Sequence, residues 1–170
     1  MPLTPSTLAN QLQNMTPTTS ELEAITRFTD AYIAFMSESV VTLVPPIPIV
    51  PIGLQGAPKT ACIAAKTGLS IDGATAIQSG LIAFWGAMMP LAATLYPTAT
   101  LLVPPAAFLP GATILSPLLT TVFAANVQGQ LSLADCCTAI ASVIYTASLG
   151  GTATVPLLVP PFTPTPTPIL

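Results

Sequence analysis

At 170 residues the chain is long enough for one domain with its own core. It is poor in charge: 5% of its residues are charged, against about 25% in an ordinary soluble domain, while 52% are hydrophobic and the mean hydropathy is +0.78. These values argue against charge-driven disorder. The three scattered basic residues, Arg27, Lys59 and Lys66, argue against nucleic-acid binding and against a polybasic membrane contact.

The first unit runs from about 1 to 53. Leu8, Leu12 and Met15 sit at helical spacing behind Ser6, a candidate cap, and Thr16-Pro17 ends that short helix. Ser20 with Glu23 forms a capping box for a long helix reaching about Val41. Its apolar stripe is Leu22, Ile25, Phe28, Tyr32, Phe35 and Met36. The prolines at 45, 46, 48 and 51 then predict extended, polyproline-like chain.

The second unit, about 54–111, repeats the order. Pro58 suits the first turn of a short helix through Lys66, with Gly68 at its end. Ser70 or Asp72 caps a second helix whose inner face is Ile77, Leu81, Phe84, Trp85 and Met88. Pro90 kinks or ends it, and 101–111 reads as a second extended arm.

The third unit covers about 112–170. Ser116-Pro117 predicts an N-cap and first helical position, with the short helix ending near Gly129. Ser132 and Asp135 repeat the capping pattern ahead of a stripe of Ile140, Val143, Ile144 and Ala147. The chain from Val155 to Leu170 reads as a stiff extended tail.

A phrase recurs at the end of each unit: Val44-Pro45-Pro46, Val103-Pro104-Pro105 and Val159-Pro160-Pro161, spaced by 59 and 56 residues. The expected fold is therefore all-α, a single domain of three helical hairpins, each a short plus a longer helix, joined by proline-rich arms. A solenoid and a compact bundle of pseudo-threefold character both fit that pattern.

The chemistry is mostly negative. Without histidine there is no imidazole base or ligand, so neither a metal nor a cofactor is expected. Glu23 and Asp30 share a helix face, which reads as solvated surface rather than a paired acid and base. The run Gly53 to Thr60 lacks the spacing and the glycine of a phosphate loop. Cys62, Cys136 and Cys137 read as small buried apolar residues, with a bridge from Cys62 to one of the pair left open. The N-terminal residues do not read as a signal peptide. No enzyme is expected.

Several stretches resemble structural proteins of tailed bacteriophage virions: 80–86 (Gly-Leu-Ile-Ala-Phe-Trp-Gly), 122–126, 129–135 and the Thr-Pro tail from Thr163 to Leu170. The resemblance implies a non-enzymatic part of a tail, neck, baseplate or capsid. Such a part is assembled in the host cytoplasm and bound to other virion proteins and to copies of itself. The apolar residues of the arms are the expected partner contacts: Val44, Pro45, Pro46 and Ile47 in the first, and Val103, Pro104, Pro105 and Phe108 in the second. In the tail they are Leu157, Leu158, Val159, Pro160, Pro161 and Phe162. The alternative is a small integral membrane protein with a span near 80–103, although Pro90, Pro97 and the absence of flanking basic residues argue against it.

Overall fold

The computed structural model describes residues 4–15, 20–37, 40–41, 47–48, 56–66, 72–95, 101–149, 151–154 and 166–168. They form six α-helices: α1 (Pro5–Gln13), α2 (Glu21–Ser37), α3 (Gly56–Lys66), α4 (Gly73–Leu95), α5 (Leu115–Val127) and α6 (Leu133–Ser148). The fold is mostly helical. Short strands follow the longer helix of each pair: β1 (Val40–Val41) pairs antiparallel with β2 (Ile47–Pro48). A three-stranded antiparallel sheet has the order β3 (Leu101–Val103), β4 (Thr152–Thr154), β5 (Pro166–Pro168).

Each helix packs on the next in the chain, and α6 packs back on α1. The six helices therefore close into a ring, which favours the compact bundle over a solenoid. α3 and α4 share the most extensive of these contacts. Gln13 Nε2 donates to the carbonyl of Ala134 at 3.3 Å where α1 meets α6.

The ring surrounds an aromatic core. Tyr32 and Phe35 from α2 are fully buried with Phe84 and Trp85 from α4. Tyr32 meets Phe84 edge-on, with centroids 5.2 Å apart, and accepts a 2.9 Å hydrogen bond from Trp85 Nε1. Burial raises the Tyr32 pKa, more than its hydrogen bonds with Trp85 and Ser148 lower it, so the phenol stays protonated. Trp85 lies parallel to Phe108, with ring centroids 6.2 Å apart.

That last contact corrects the reading of the second arm. Phe108 is 1% exposed, and Pro104 and Pro105 are buried with it. β3 leads through the two prolines into a one-turn 3-10 helix at Ala106–Phe108, and this turn drops the ring onto Trp85. The two consecutive prolines supply no ladder N–H, so β3 ends before them and the chain turns inward. These three residues are not available to a neighbour. Val103 is taken up in β3, opposite Thr152 of the same chain.

Helix ends differ from expectation in instructive ways. α1 starts at Pro5, with Thr4 rather than Ser6 at the cap position. The Ser20 cap forms, with Glu23 N–H donating to Oγ at 3.2 Å, but the Glu23 carboxylate turns to Arg27 instead of closing the box. α2 ends at Ser37, short of Val41, which pairs with Ile47 in β1–β2. Leu22 is exposed, while the rest of the predicted stripe is buried.

α4 runs through Pro90 to Leu95. Pro90 and Gly86, four residues before it, both lie on the exposed face, so the carbonyl left without a donor can meet water. α5 ends in a Schellman motif: Gly129 has φ +70°, its N–H donates to Asn126 O, and Gln130 N–H donates to Ala125 O. In α6 the buried residues are Cys136, Cys137, Ala141, Ile144 and Ser148, whereas Val143 is only partly buried and Thr146 is exposed. Ile144, not Val143, is thus the core residue of this turn.

The start of α5 is the largest departure. Ser116 and Pro117 lie inside the helix, and Ile114 occupies the cap position without a side-chain cap. Gln78 of α4, 5% exposed, does the capping. Its Oε1 accepts from Ser116 N–H at 2.6 Å, and its Nε2 donates to the carbonyl of Ala112.

Candidate functional site

Two surface features stand out. The first is a groove of about 640 Å³ where the N-terminal ends of α2, α4 and α6 approach α1 and α5. Leu12 of α1 and Met15, just past its C-terminal end, line one side. α2 and α4 contribute Ile25, Phe28 and Ile77, one and two turns into their stripes, and α5 contributes Phe123. Cys137 and Ile140 of α6 complete the apolar wall.

Two carboxylates, Glu21 and Asp72, line the same groove, and no basic residue is among its described lining. Asp72 is the N-cap of α4. Its Oδ1 accepts from Ala74 N–H at 3.0 Å and its Oδ2 from Thr75 Oγ1 at 2.6 Å. The Thr75 hydrogen bond, followed by that from Ala74, holds its carboxyl below the usual carboxylate range. Glu21 stands in the first turn of α2, as the helix dipole favours. Burial pushes the Cys137 thiol up, and Cys136 beside it adds to the rise, so neither has the character of an activated nucleophile. All three cysteines are free thiols, and Cys62 is buried with its Sγ 3.5 Å from Thr29 Oγ1.

The second feature is an uncharged face. α5 carries no ionisable side chain; Leu118 and the cap residue Ile114 are exposed by half or more, beside a groove of about 370 Å³ shared with α6. Ala107, Ser142, Val143 and Ala147 line that groove. The threonine hydroxyls of these two helices bond within their own helix. Thr120, Thr121, Thr138 and Thr146 donate to the carbonyls four residues earlier, at 2.9–3.0 Å. A threonine so bonded does not need water for its donor and leaves its methyl exposed.

Charge is concentrated elsewhere. Glu23 pairs with Arg27 at 2.6 Å, and Asp30 pairs with Lys59 of α3 at 2.5 Å. The two carboxylates that could have been assigned acid and base roles each hold a cation. No cluster of metal-ligating side chains occurs among the described residues.

Of the expected partner contacts, Pro104, Pro105 and Phe108 lie within the core, and Val103 and Ile47 stand in strands. Val44, Pro45 and Pro46 lie outside the described residues, as do Leu157, Leu158, Val159, Pro160, Pro161 and Phe162. β5 returns the end of the tail to β4 of the same chain. Sequence reasoning did not reveal either groove. Both are built from residues far apart in the chain. The one available signal was the absence of any charge between Asp72 and Asp135. One described helical stretch, Gly73–Leu91 with mean hydropathy 1.2, is long and apolar enough to cross a membrane. Comparison with protein-family models, curated proteins and solved structures finds no match to this chain.

Proposed function

We propose that this chain is a non-enzymatic structural component of a bacteriophage virion, in a tail, neck, baseplate or capsid-associated position. The uncharged face of α5 and α6 carries the reading. It combines half-exposed Ile114 and Leu118, internally bonded threonines and a groove lining without an ionisable group. A free monomer with such a face would have little protection against self-association. An assembly covers it with neighbouring proteins or further copies.

The three helical pairs and their proline-rich arms act in this reading as one body with docking elements. Val44-Pro45-Pro46 and Leu157 to Phe162 are the arms that hold the chain to its neighbours. A proline-rich segment that takes the polyproline form loses little entropy on docking, which supports this reading. The first belongs to the connection between β1 and β2 and the second to that between β4 and β5, so the chain pins both ends of each.

The alternative is a small integral membrane protein with a span near 80–103. The apolar character of Gly73–Leu91 favours it, and back-bonded threonines also suit lipid. Expression without detergent, followed by membrane flotation and sedimentation velocity, separates the two. The virion reading expects the protein in the soluble fraction as an oligomer. Recovery only with membranes, resistant to carbonate extraction, would replace it with the alternative.

A further inference from the structure

We propose that the groove among α1, α2, α4, α5 and α6 binds a substituted ammonium group carried on a short apolar chain. A volume of about 640 Å³ falls in the range of small-ligand sites. Its walls suit an alkyl chain: Leu12, Met15, Ile25 and Ile77 offer no polar partner.

The sign of the ligand's charge follows from the polar groups at the groove. Glu21 and Asp72 both line it, and no described lysine or arginine opposes them. Asp72 shares its oxygens with Ala74 N–H and Thr75, and this keeps it ionised. Glu21 has no ion-pair partner among the described residues, unlike Glu23 and Asp30, which hold Arg27 and Lys59.

Helix N-termini attract anions, and three of them lie near this groove. Each is already served by its own side chain: Ser20 on α2, Asp72 on α4 and Ser132 on α6. Each cap thus takes one first-turn amide, and at α4 the cap is itself a carboxylate that repels an anion.

Two aromatic residues add a second, independent preference for a cation. Phe28 and Phe123 both line the groove, and a ring face attracts a quaternary ammonium more than it does a neutral group. Phe123 packs beside the N-terminus of α4: a Cβ placed on Gly73 would lie 3.6 Å from its ring carbon Cε2. The aromatic edge thus adjoins the Asp72 cap.

The test uses the full chain and three probes of equal chain length: octyltrimethylammonium, octanol and octanoate, each below its micelle concentration. Binding is followed by calorimetry and by chemical-shift changes of the Met15 and Ile77 methyl groups. The expected order is ammonium first, octanol second and octanoate last, with about tenfold between the first and last, or about 1.4 kcal/mol. In the double variant Glu21→Gln, Asp72→Asn the preference for ammonium over octanoate should collapse while octanol binding stays. Asparagine is as good an N-cap as aspartate, so α4 should keep its start. Retained octanol binding, with an unchanged circular dichroism spectrum, reports an intact groove. If the variant unfolds, Glu21→Gln alone should still lower the preference severalfold. Equal binding of all three probes would overturn the proposal. So would binding of none, or an ammonium preference that survives the loss of both carboxylates.

Discussion

α5 and α6 are consecutive helices, yet they begin by different means. α6 starts on a local signal: Ser132 Oγ accepts from Asp135 N–H at 3.1 Å and donates to the Asp135 carboxylate at 2.6 Å. α5 has an equally plain local signal in Ser116-Pro117 and does not use it. Gln78, 38 residues earlier, takes the Ser116 N–H, and the helix begins a turn-fraction sooner, at Leu115. The difference is burial. Ser132 and Asp135 are exposed, where only near neighbours compete for a helix end. The start of α5 sits against α4, where an unpaired amide is costly and a buried glutamine can satisfy it.

The comparison can be broken most forcefully at contacts that only the folded chain creates. Phe108→Ala should cost about 3–5 kcal/mol in denaturant unfolding, since it empties the space stacked on Trp85. A loss under about 1 kcal/mol would mean that the second arm is not part of the core. Gln78→Ala comes next. It strands the Ser116 amide and the Ala112 carbonyl together, and about 2–3 kcal/mol should follow. An effect no larger than that of an exposed cap would remove the distinction between the two helix starts.

Smaller effects sharpen the same contrast. Ser132→Ala and Ser20→Ala should each cost on the order of 1 kcal/mol, as they remove a side-chain cap. Ser116→Ala should cost less, about 0.5 kcal/mol, because Gln78 holds its backbone N–H and its side chain meets only Thr75 Oγ1, at 3.2 Å. A full-sized capping loss at Ser116 would restore the sequence-based helix start.

The mildest effect is one of pH. Hydrogen bonds from Thr75 and Ala74 lower the Asp72 pKa in the folded chain. Its contribution is therefore complete above the unfolded value, near pH 4. It fades as the pH falls through the lower folded value. Asp72→Asn should flatten this acid limb of a stability–pH curve. An unchanged limb in the variant would assign the acid sensitivity to other groups.

The legible parts of the fold were those fixed by near neighbours. Six helices, the Ser20 and Ser132 starts, Asp72 as one of two candidate caps of α4, and the inner faces built on Tyr32 and Phe84-Trp85 follow from spacing and capping chemistry. The parts that did not follow depend on distant partners. Phe108 looked like arm because prolines surround it, and Trp85, 23 residues earlier, decides its place. Pro90 reads in sequence as a kink or an end, and exposure of its face lets α4 continue. The grooves were invisible because five helices build one of them and the closing of the ring brings those helices together.

The proposed role in a virion is tested most directly on the particles themselves. Gradient-purified virions from cells expressing the full chain, washed in high salt, can be digested and quantified by mass spectrometry against known capsid and tail proteins. The account predicts this chain at a fixed ratio to those proteins, with that ratio falling when residues 155–170 are deleted. A chain absent from the particles and recovered with the host membranes would contradict it.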